Sequence, residues 1–463
     1  MSEGTGGIGR IVRGLFRATA ALLSITVLVM TGYGWSVHRA ASTGIVTSDV
    51  LRGAVPRGLD PRGLDEPFTA LLVGLDSRTD ALGDPLPPKL LAELRAGADE
   101  GQLHTDTIIL LHVPAGPEAR AVAISFPRDS FVQIAGQRGQ HKINSAYQRG
   151  LADAAESLSA QGLTGSALER FTREAGRRSL VATVQNLAGV TVDHFAEINL
   201  AGFVDVTEAL GGVPVCLNEA VREPLSGIDL PAGSQVVRGG DALAFVRQRH
   251  GLDDGDFDRV ARQQAFLAGL TSTALSSGTL SDPVRVNRLV RAVTRYVVLD
   301  HGWDLANLVA QLRRMSGGNI TFQTIPTGDP ALRTPVDGVA VEVDPVRVRQ
   351  FVRGVVNGTR STDIAALRPS TSPTTTAQRG RVAPAATTGG EPGRSTRSAE
   401  PAESTQPPEP IRSAHPTEPT RSSHRTEPDR SAHPGEPVES GRSAKPTSAP
   451  APTITAGTVP CVD

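Results

Sequence analysis

Lysine is nearly missing from this chain of 463 residues, standing only at positions 89, 142 and 445, and arginine takes almost every other cationic place. Lys142 therefore reads either as a site where a compact point charge is preferred or as an ordinary solvated lysine. Aromatic residues make up 4% of the chain and the net charge is -1. With no basic patch interleaved with aromatics, nothing in the composition points to a nucleic-acid binder, and none is expected as a partner. Cysteine occurs only as Cys216 and Cys461. Outside the cytoplasm such a pair permits one disulfide, closing a loop of about 245 residues.

Long apolar runs are equally scarce, and the one that spans 20 residues without a charge, Ala18 to Val37, has the length of a bilayer-crossing helix. Arg10, Arg13 and Arg17 precede it against Glu3 alone, and Tyr33 and Trp35 sit near its far end. That arrangement predicts a single-pass anchor with residues 1–17 cytoplasmic and everything after Arg39 outside, a cleaved signal peptide being the alternative. Residues 38–66 carry PRGLD twice in succession, at Pro56–Asp60 and Pro61–Asp65, and read as a stalk. Residues 361–452 are dominated by proline, serine, threonine, arginine and glutamate, with RSAHPTEP, RSSHRTEP and RSAHPGEP recurring. Such a segment cannot bury a core and is expected to be disordered, whereas residues 453–463 regain Ile, Val and Cys and are expected to dock back.

Between these segments, residues 67–360 read as a three-layer α/β domain with a mixed sheet. Phe68–Val73 is an apolar run that delivers Asp76 and Arg78 to a strand end. Thr105–Val113 is a buried strand with Asp106 at its mouth, and Ala121–Phe126 stops at Pro127 before Arg128, Asp129 and Ser130. Ser166–Ala188 and Ala201–Leu210 read as helices, Phe195–Asn199 and Val213–Leu217 as strands. Two carboxylates converging with phosphate oxygens suit Mg²⁺ or Mn²⁺, while either acid alone reads as a turn cap.

Charge is most concentrated in Asp241–Phe266, which holds four arginines and five aspartates. Phe257–Leu270 has helical apolar spacing with Asp256 as a candidate N-cap, placing Arg259, Arg262 and Gln263 on one face. Arg247 and Arg249 would point together only if Val246–Arg249 is extended. Either these arginines form a fork for a phosphate or pyrophosphate, or they pair with Asp253, Asp254, Asp256 and Asp258 on a solvated surface.

Taken in order, GLDSR (Gly74–Arg78), TDTI (Thr105–Ile108), ISFPRDS (Ile124–Ser130), KINSAY (Lys142–Tyr147), the run His194–Val215, ALAFVRQR (Ala242–Arg249) and GDFDRVARQQ (Gly255–Gln264) resemble the LytR-CpsA-Psr family of cell-wall polymer ligases. The resemblance implies Mg²⁺-assisted transfer of a phosphorylated glycopolymer, of teichoic-acid, capsule or arabinogalactan type, from a polyprenyl pyrophosphate to a peptidoglycan hydroxyl. It implies Asp76 and Asp106 as the metal acids. Arg78, Arg128, Lys142, Asn144, Tyr147, Arg247, Arg249, Arg259 and Gln263 become pocket groups, with Asp256 and Arg262 as supports. His104 departs from the arginine the family often has two residues before the second acid. The base for the attacking hydroxyl is open between Asp129 and an oxygen of Asp76. Hydrolysis of the same pyrophosphate and non-catalytic binding of such lipids are the competing functions.

Overall fold

A computed structural model describes residues 45–51, 66–94, 103–116, 120–252, 255–301, 303, 320–358, 454–455 and 459–463, together with 31–32 and 39. The charge-free stretch (but for Thr31 and Gly32), the PRGLD repeats, Asp253, Asp254 and the repetitive tail lie outside these residues. Among the described residues no helix is long and apolar enough to cross a membrane.

The strands are β1 (Val46–Ser48), β2 (Phe68–Leu75), β3 (Thr105–Val113), β4 (Ala121–Ser125), β5 (Ser130–Gln133), β6 (Gln140–Lys142), β7 (His194–Asn199), β8 (Val213–Leu217), β9 (Val221–Glu223), β10 (Ile228–Leu230), β11 (Gly233–Val237), β12 (Val297–Asp300), β13 (Ile320–Thr324), β14 (Leu332–Thr334), β15 (Gly338–Glu342), β16 (Ile454–Thr455) and β17 (Cys461–Val462). The helices are α1 (Pro88–Glu93), α2 (Ala146–Ala160), α3 (Gly165–Ala188), α4 (Leu200–Leu210), α5 (Gly239–Arg247), α6 (Asp256–Ala274), α7 (Ser277–Leu280), α8 (Pro283–Tyr296) and α9 (Pro345–Val356).

Eight strands form a mixed sheet in the order β1-β12-β7-β2-β3-β4-β13-β16. Its centre is apolar on both sides because both sides are covered. On one, Leu71, Val73, Ile108, Leu110 and Ile124 meet Tyr147, Leu180, Val184 and Leu187 of α2 and α3 and Val348 and Val352 of α9. On the other, Ala70, Ile109, Leu111 and Ala123 meet Phe245 of α5, Phe266 of α6 and Val213 and Val215 of β8. Close approach of α2 and α3 requires Gly176, where a Cβ would fall 2.8 Å from ring carbons of Tyr147.

Registers align the functional ends. Leu75 pairs with Thr105 in antiparallel β3 and with Asn199 in parallel β7. Asp76, just past β2, and Asp106, the second residue of β3, therefore stand side by side on the edge formed by the ends of the two central strands. The segment 459–463 packs against the same domain: β17 runs parallel to β8, and the sulfurs of Cys216 and Cys461 are bonded.

Candidate functional site

The loop carrying Asp76 is held from behind. The Asp76 amide donates to the His104 carbonyl at 2.9 Å, Asn199 Nδ2 donates to the Thr79 carbonyl at 2.6 Å, and Arg173 donates to Thr79 Oγ1 at 3.0 Å. His104 thus contributes main chain at the point where an arginine was to be expected. Arg78 turns back to Asp76, with Nη1 3.4 Å from Oδ1. On the next strand end Asp106 accepts a hydrogen bond from Arg128, which Pro127 has thrown out of β4.

Asp129 is the meeting point of the cations. One of its carboxylate oxygens lies 3.1 Å from Lys142 Nζ and 3.7 Å from Arg128 Nε, and the other lies 3.6 Å from Arg249 Nη2. Lys142 is accordingly a site residue, and its compact charge fits among planar guanidinium groups. Asp129 also fixes the opposite wall, since its carbonyl accepts from Val341 at 2.9 Å and β15 pairs with β5. Between the two walls lies a cleft of 410 Å³ lined by Asp129, Lys142, Arg249, Asp256 and Phe257 on one side and Pro330, Val339, Ala340 and Val341 on the other.

Asp256 and Arg259 form a buried ion pair one helical turn apart. Burial pushes the Asp256 carboxyl up against the pull of Arg259, and it pushes the Arg259 guanidinium down against the pull of Asp256. Asp76 is likewise raised, first by burial and then by the charge of Asp106, with Arg78, Arg247 and Arg128 opposing. Burial that disfavours the charged forms of two carboxyls and a guanidinium in one cluster marks it as a candidate functional site.

Six sequence readings need correction. Asp256 is the first residue of α6 and not its cap; Gly255, with φ +57, occupies the cap position. Val246–Arg249 is not an extended run, because α5 continues through Arg247 and only Gln248 turns extended, with ψ 135. Arg247 reaches the field of Asp76 and Arg249 reaches Asp129, so the two flank the site with buried Gln248 between them.

Arg262 does not face the cleft. It is 1% exposed, donates to Gln248 Oε1 and to the Asp463 main-chain oxygen, and lies over the Phe245 ring. Tyr147 is fully buried in the helical layer, where burial holds its phenol well above the usual range, so it supports the fold. Asn144 contributes through its main chain, accepting from Thr105 and donating to the Arg128 carbonyl. Gln263 donates to the Val246 carbonyl at 3.4 Å and so ties α6 to α5.

Arg262 thus links residues 459–463 to the Arg247–Arg249 turn. Arg262→Met is expected to cost about 1–3 kcal/mol through the stranded Gln248 and Asp463 acceptors. Denaturation and pyrophosphate titration would show both lower stability and weaker anion binding; an unchanged midpoint would remove this role.

Sequence comparison decides the family. The LytR_cpsA_psr family model matches residues 40–344. The chain belongs to the LytR-CpsA-Psr family. It is 44% identical over 325 residues to the cell wall biosynthesis protein LcpA of Corynebacterium glutamicum, covering 70% of this chain and 61% of that protein. It is 36% identical over 259 residues to the probable cell wall biosynthesis protein LcpB of the same organism, covering 55% of this chain and 53% of that protein. The chain thus spans less than two thirds of either relative's length. The crystal structure of Bacillus subtilis TagV matches with 22% identity and a TM-score of 0.45, over 66% of this chain and 99% of that one.

The family's divalent ion can be tested against the residues present. Among the described residues no group of three or more His, Cys, Asp or Glu could hold a metal alone. Asp76 and Asp106 nevertheless offer hard oxygens within each other's field at one sheet edge. Two carboxylates completed by substrate phosphate oxygens are an ordinary Mg²⁺ set, and the donor chemistry fits.

Proposed function

We propose that the chain is a membrane-anchored phosphotransferase, its catalytic domain outside the cytoplasm, that moves a phosphorylated glycopolymer from a polyprenyl pyrophosphate to a hydroxyl of peptidoglycan. The observation that carries this reading is a cleft lined by Asp129, Lys142, Arg249 and Asp256, to which Arg128 and Asp106 are joined through Asp129 and Arg259 through Asp256. TagU of Bacillus licheniformis, 25% identical over 289 residues, is named a polyisoprenyl-teichoic acid–peptidoglycan teichoic acid transferase, which supports the same class of donor and acceptor.

In this reading the pyrophosphate takes the place of the carboxylates that now occupy the cations. Arg128, Lys142, Arg247 and Arg249 turn to its oxygens, and preorganised positive charge meets the negative charge that builds on the leaving phosphate. Asp76 and Asp106 would hold Mg²⁺, which offsets further phosphate charge when bound. Asp129, released from its cations, takes the acceptor's proton. The acceptor oxygen then bonds to the polymer-side phosphorus as the bond from that phosphorus to the bridging oxygen breaks, and polyprenyl phosphate departs.

Full-length protein in lipid nanodiscs, given lipid-linked donor and peptidoglycan, should yield polymer–peptidoglycan conjugate. Free polymer phosphate without conjugate would make it a hydrolase, and donor binding without turnover would make it a receptor. Within the transferase reading, Asp129→Asn should lower the maximal rate by about 10²- to 10⁴-fold in protein that still binds the donor. A variant that loses donor affinity but keeps the maximal rate would leave Asp129 a positioning residue only.

A further inference from the structure

The edge that carries the site also receives the chain from its amino-terminal side. Asn199 lies opposite Leu75, its neighbour Ile198 lies opposite Val297, and Val298 lies opposite Val46. The start of β1 therefore shares an edge with Asp76 and Asp106. Residues 38–45 alone separate Val46 from the apolar stretch ending at Val37. Eight residues reach no farther than about 30 Å even when fully extended.

At that edge stands the carboxyl end of α8, which runs straight into β12 at Val297, while its amino end lies beside Leu210 at the far end of α4. Its 14 residues include four arginines and no acid. Ala292 and Tyr296 pack inward, Tyr296 beside Leu200 and Ala201 of α4. Val284, Arg288, Arg291 and Arg295 recur at helical spacing along the outer face, and all four are exposed. Asp282 answers Arg285 at 3.2 Å, and Asp205 faces Arg295. Arg288 and Arg291 have no ion pair among the described residues. Val284, 54% exposed, adds an apolar contact to the same stripe.

We propose that this face of α8 docks on the anionic headgroup layer of the membrane that the apolar stretch would enter. Arginines beside a bilayer are attracted to acidic lipids, and an outward valine among them suits the boundary between headgroup and chain. Docking would lay α8 along the bilayer and hold its carboxyl end, beside the active edge, close to the surface where the pyrophosphate of a lipid-linked donor lies. The docking rests on the anchor reading, and its consequence for catalysis rests on the proposed function.

The test uses full-length protein in nanodiscs of phosphatidylcholine with and without phosphatidylglycerol, carrying a nitroxide at Val284→Cys. Cys216 and Cys461 are bonded to each other and leave the new thiol as the labelling site. Headgroup-chelated nickel should relax the label strongly in the anionic discs and weakly in the neutral ones. Arg288→Gln and Arg291→Gln should each weaken docking about five-fold, and high salt should imitate them. Equal relaxation in both discs, or no change in the glutamine variants, overturns the docking. A label that responds to soluble polyphosphate but stays remote from the headgroups assigns the face to an anionic wall polymer and also overturns it. Release of the chain by alkaline carbonate removes the anchor reading and the docking with it, whereas transfer activity measured on the same sample reports separately on the proposed function.

Discussion

Arg177→Met is expected to destabilise the domain by about 3–5 kcal/mol, the largest loss from any single change considered for this fold. Arg177 donates to both oxygens of Glu197, at 3.0 and 2.9 Å, and lies 3.5 Å from Glu174, which also accepts from Ser48 at 2.8 Å. Arg177 and Glu197 are both buried. Removing the cation leaves a carboxylate in a low-dielectric core with no countercharge, which costs more than the pair itself contributes. Arg177→Met with Glu197→Leu should therefore recover most of the loss. Denaturation of the two variants and the parent decides the point, and a double variant as unstable as the single one would show that packing rather than charge is at stake. The loss should spread to the site, because Glu197 lies opposite Val73, three residues before Asp76.

That buried pair was not legible in the sequence. Arg177 lies inside Ser166–Ala188 and Glu197 inside Phe195–Asn199, and nothing in local spacing says that one helix will lay an arginine across one strand. Strand ends were legible to within a residue or two because they are local events: β2 runs through Gly74 and stops at Leu75, just before Asp76, β4 stops at Ser125, just before Pro127 and Arg128, and Asp106 is the second residue of β3. Thr105–Val113 and Val213–Leu217 keep those bounds in the structure for the same reason.

Side-chain direction on helices was harder to read. Arg259 and Arg262 are three residues apart and on neighbouring parts of one helical face, yet the first closes on Asp256 while the second is taken by Gln248 and Asp463. That choice depends on where residues 459–463 settle, some two hundred positions away. Tyr147 went astray in the same manner, for a tyrosine in a polar motif looks available until Gly176 of a second helix is found beneath it. Asp129 was visible only as a candidate base; its place between Arg128, Lys142 and Arg249 needed three elements to meet.

Asp106→Asn should abolish metal-dependent transfer, with a loss of at least about 10²-fold, and Asp76→Asn should do the same while also changing how the protein answers to pH. Burial and the charge of Asp106 raise the Asp76 carboxyl, outweighing Arg78, Arg247 and Arg128. A carboxyl whose folded value exceeds its unfolded one favours the fold fully below the unfolded value, and that contribution is lost as pH rises through the folded value. In metal-free protein the ionised Asp76 is thus a cost above its folded value. In the proposed reading Mg²⁺ would bind the ionised form, so the rise in melting temperature on adding Mg²⁺ with inorganic pyrophosphate should grow with pH across that window and level off above it. Asp76→Asn should make the metal-free protein less sensitive to pH and erase the Mg²⁺-dependent gain. Because Asp106 also pairs with Arg128, Asp106→Asn needs the same melting curve as a folding control. Full transfer by Asp106→Asn, or a Mg²⁺ gain that survives in Asp76→Asn and keeps its pH slope, would take the metal away from these two acids while leaving the arginine cleft in place.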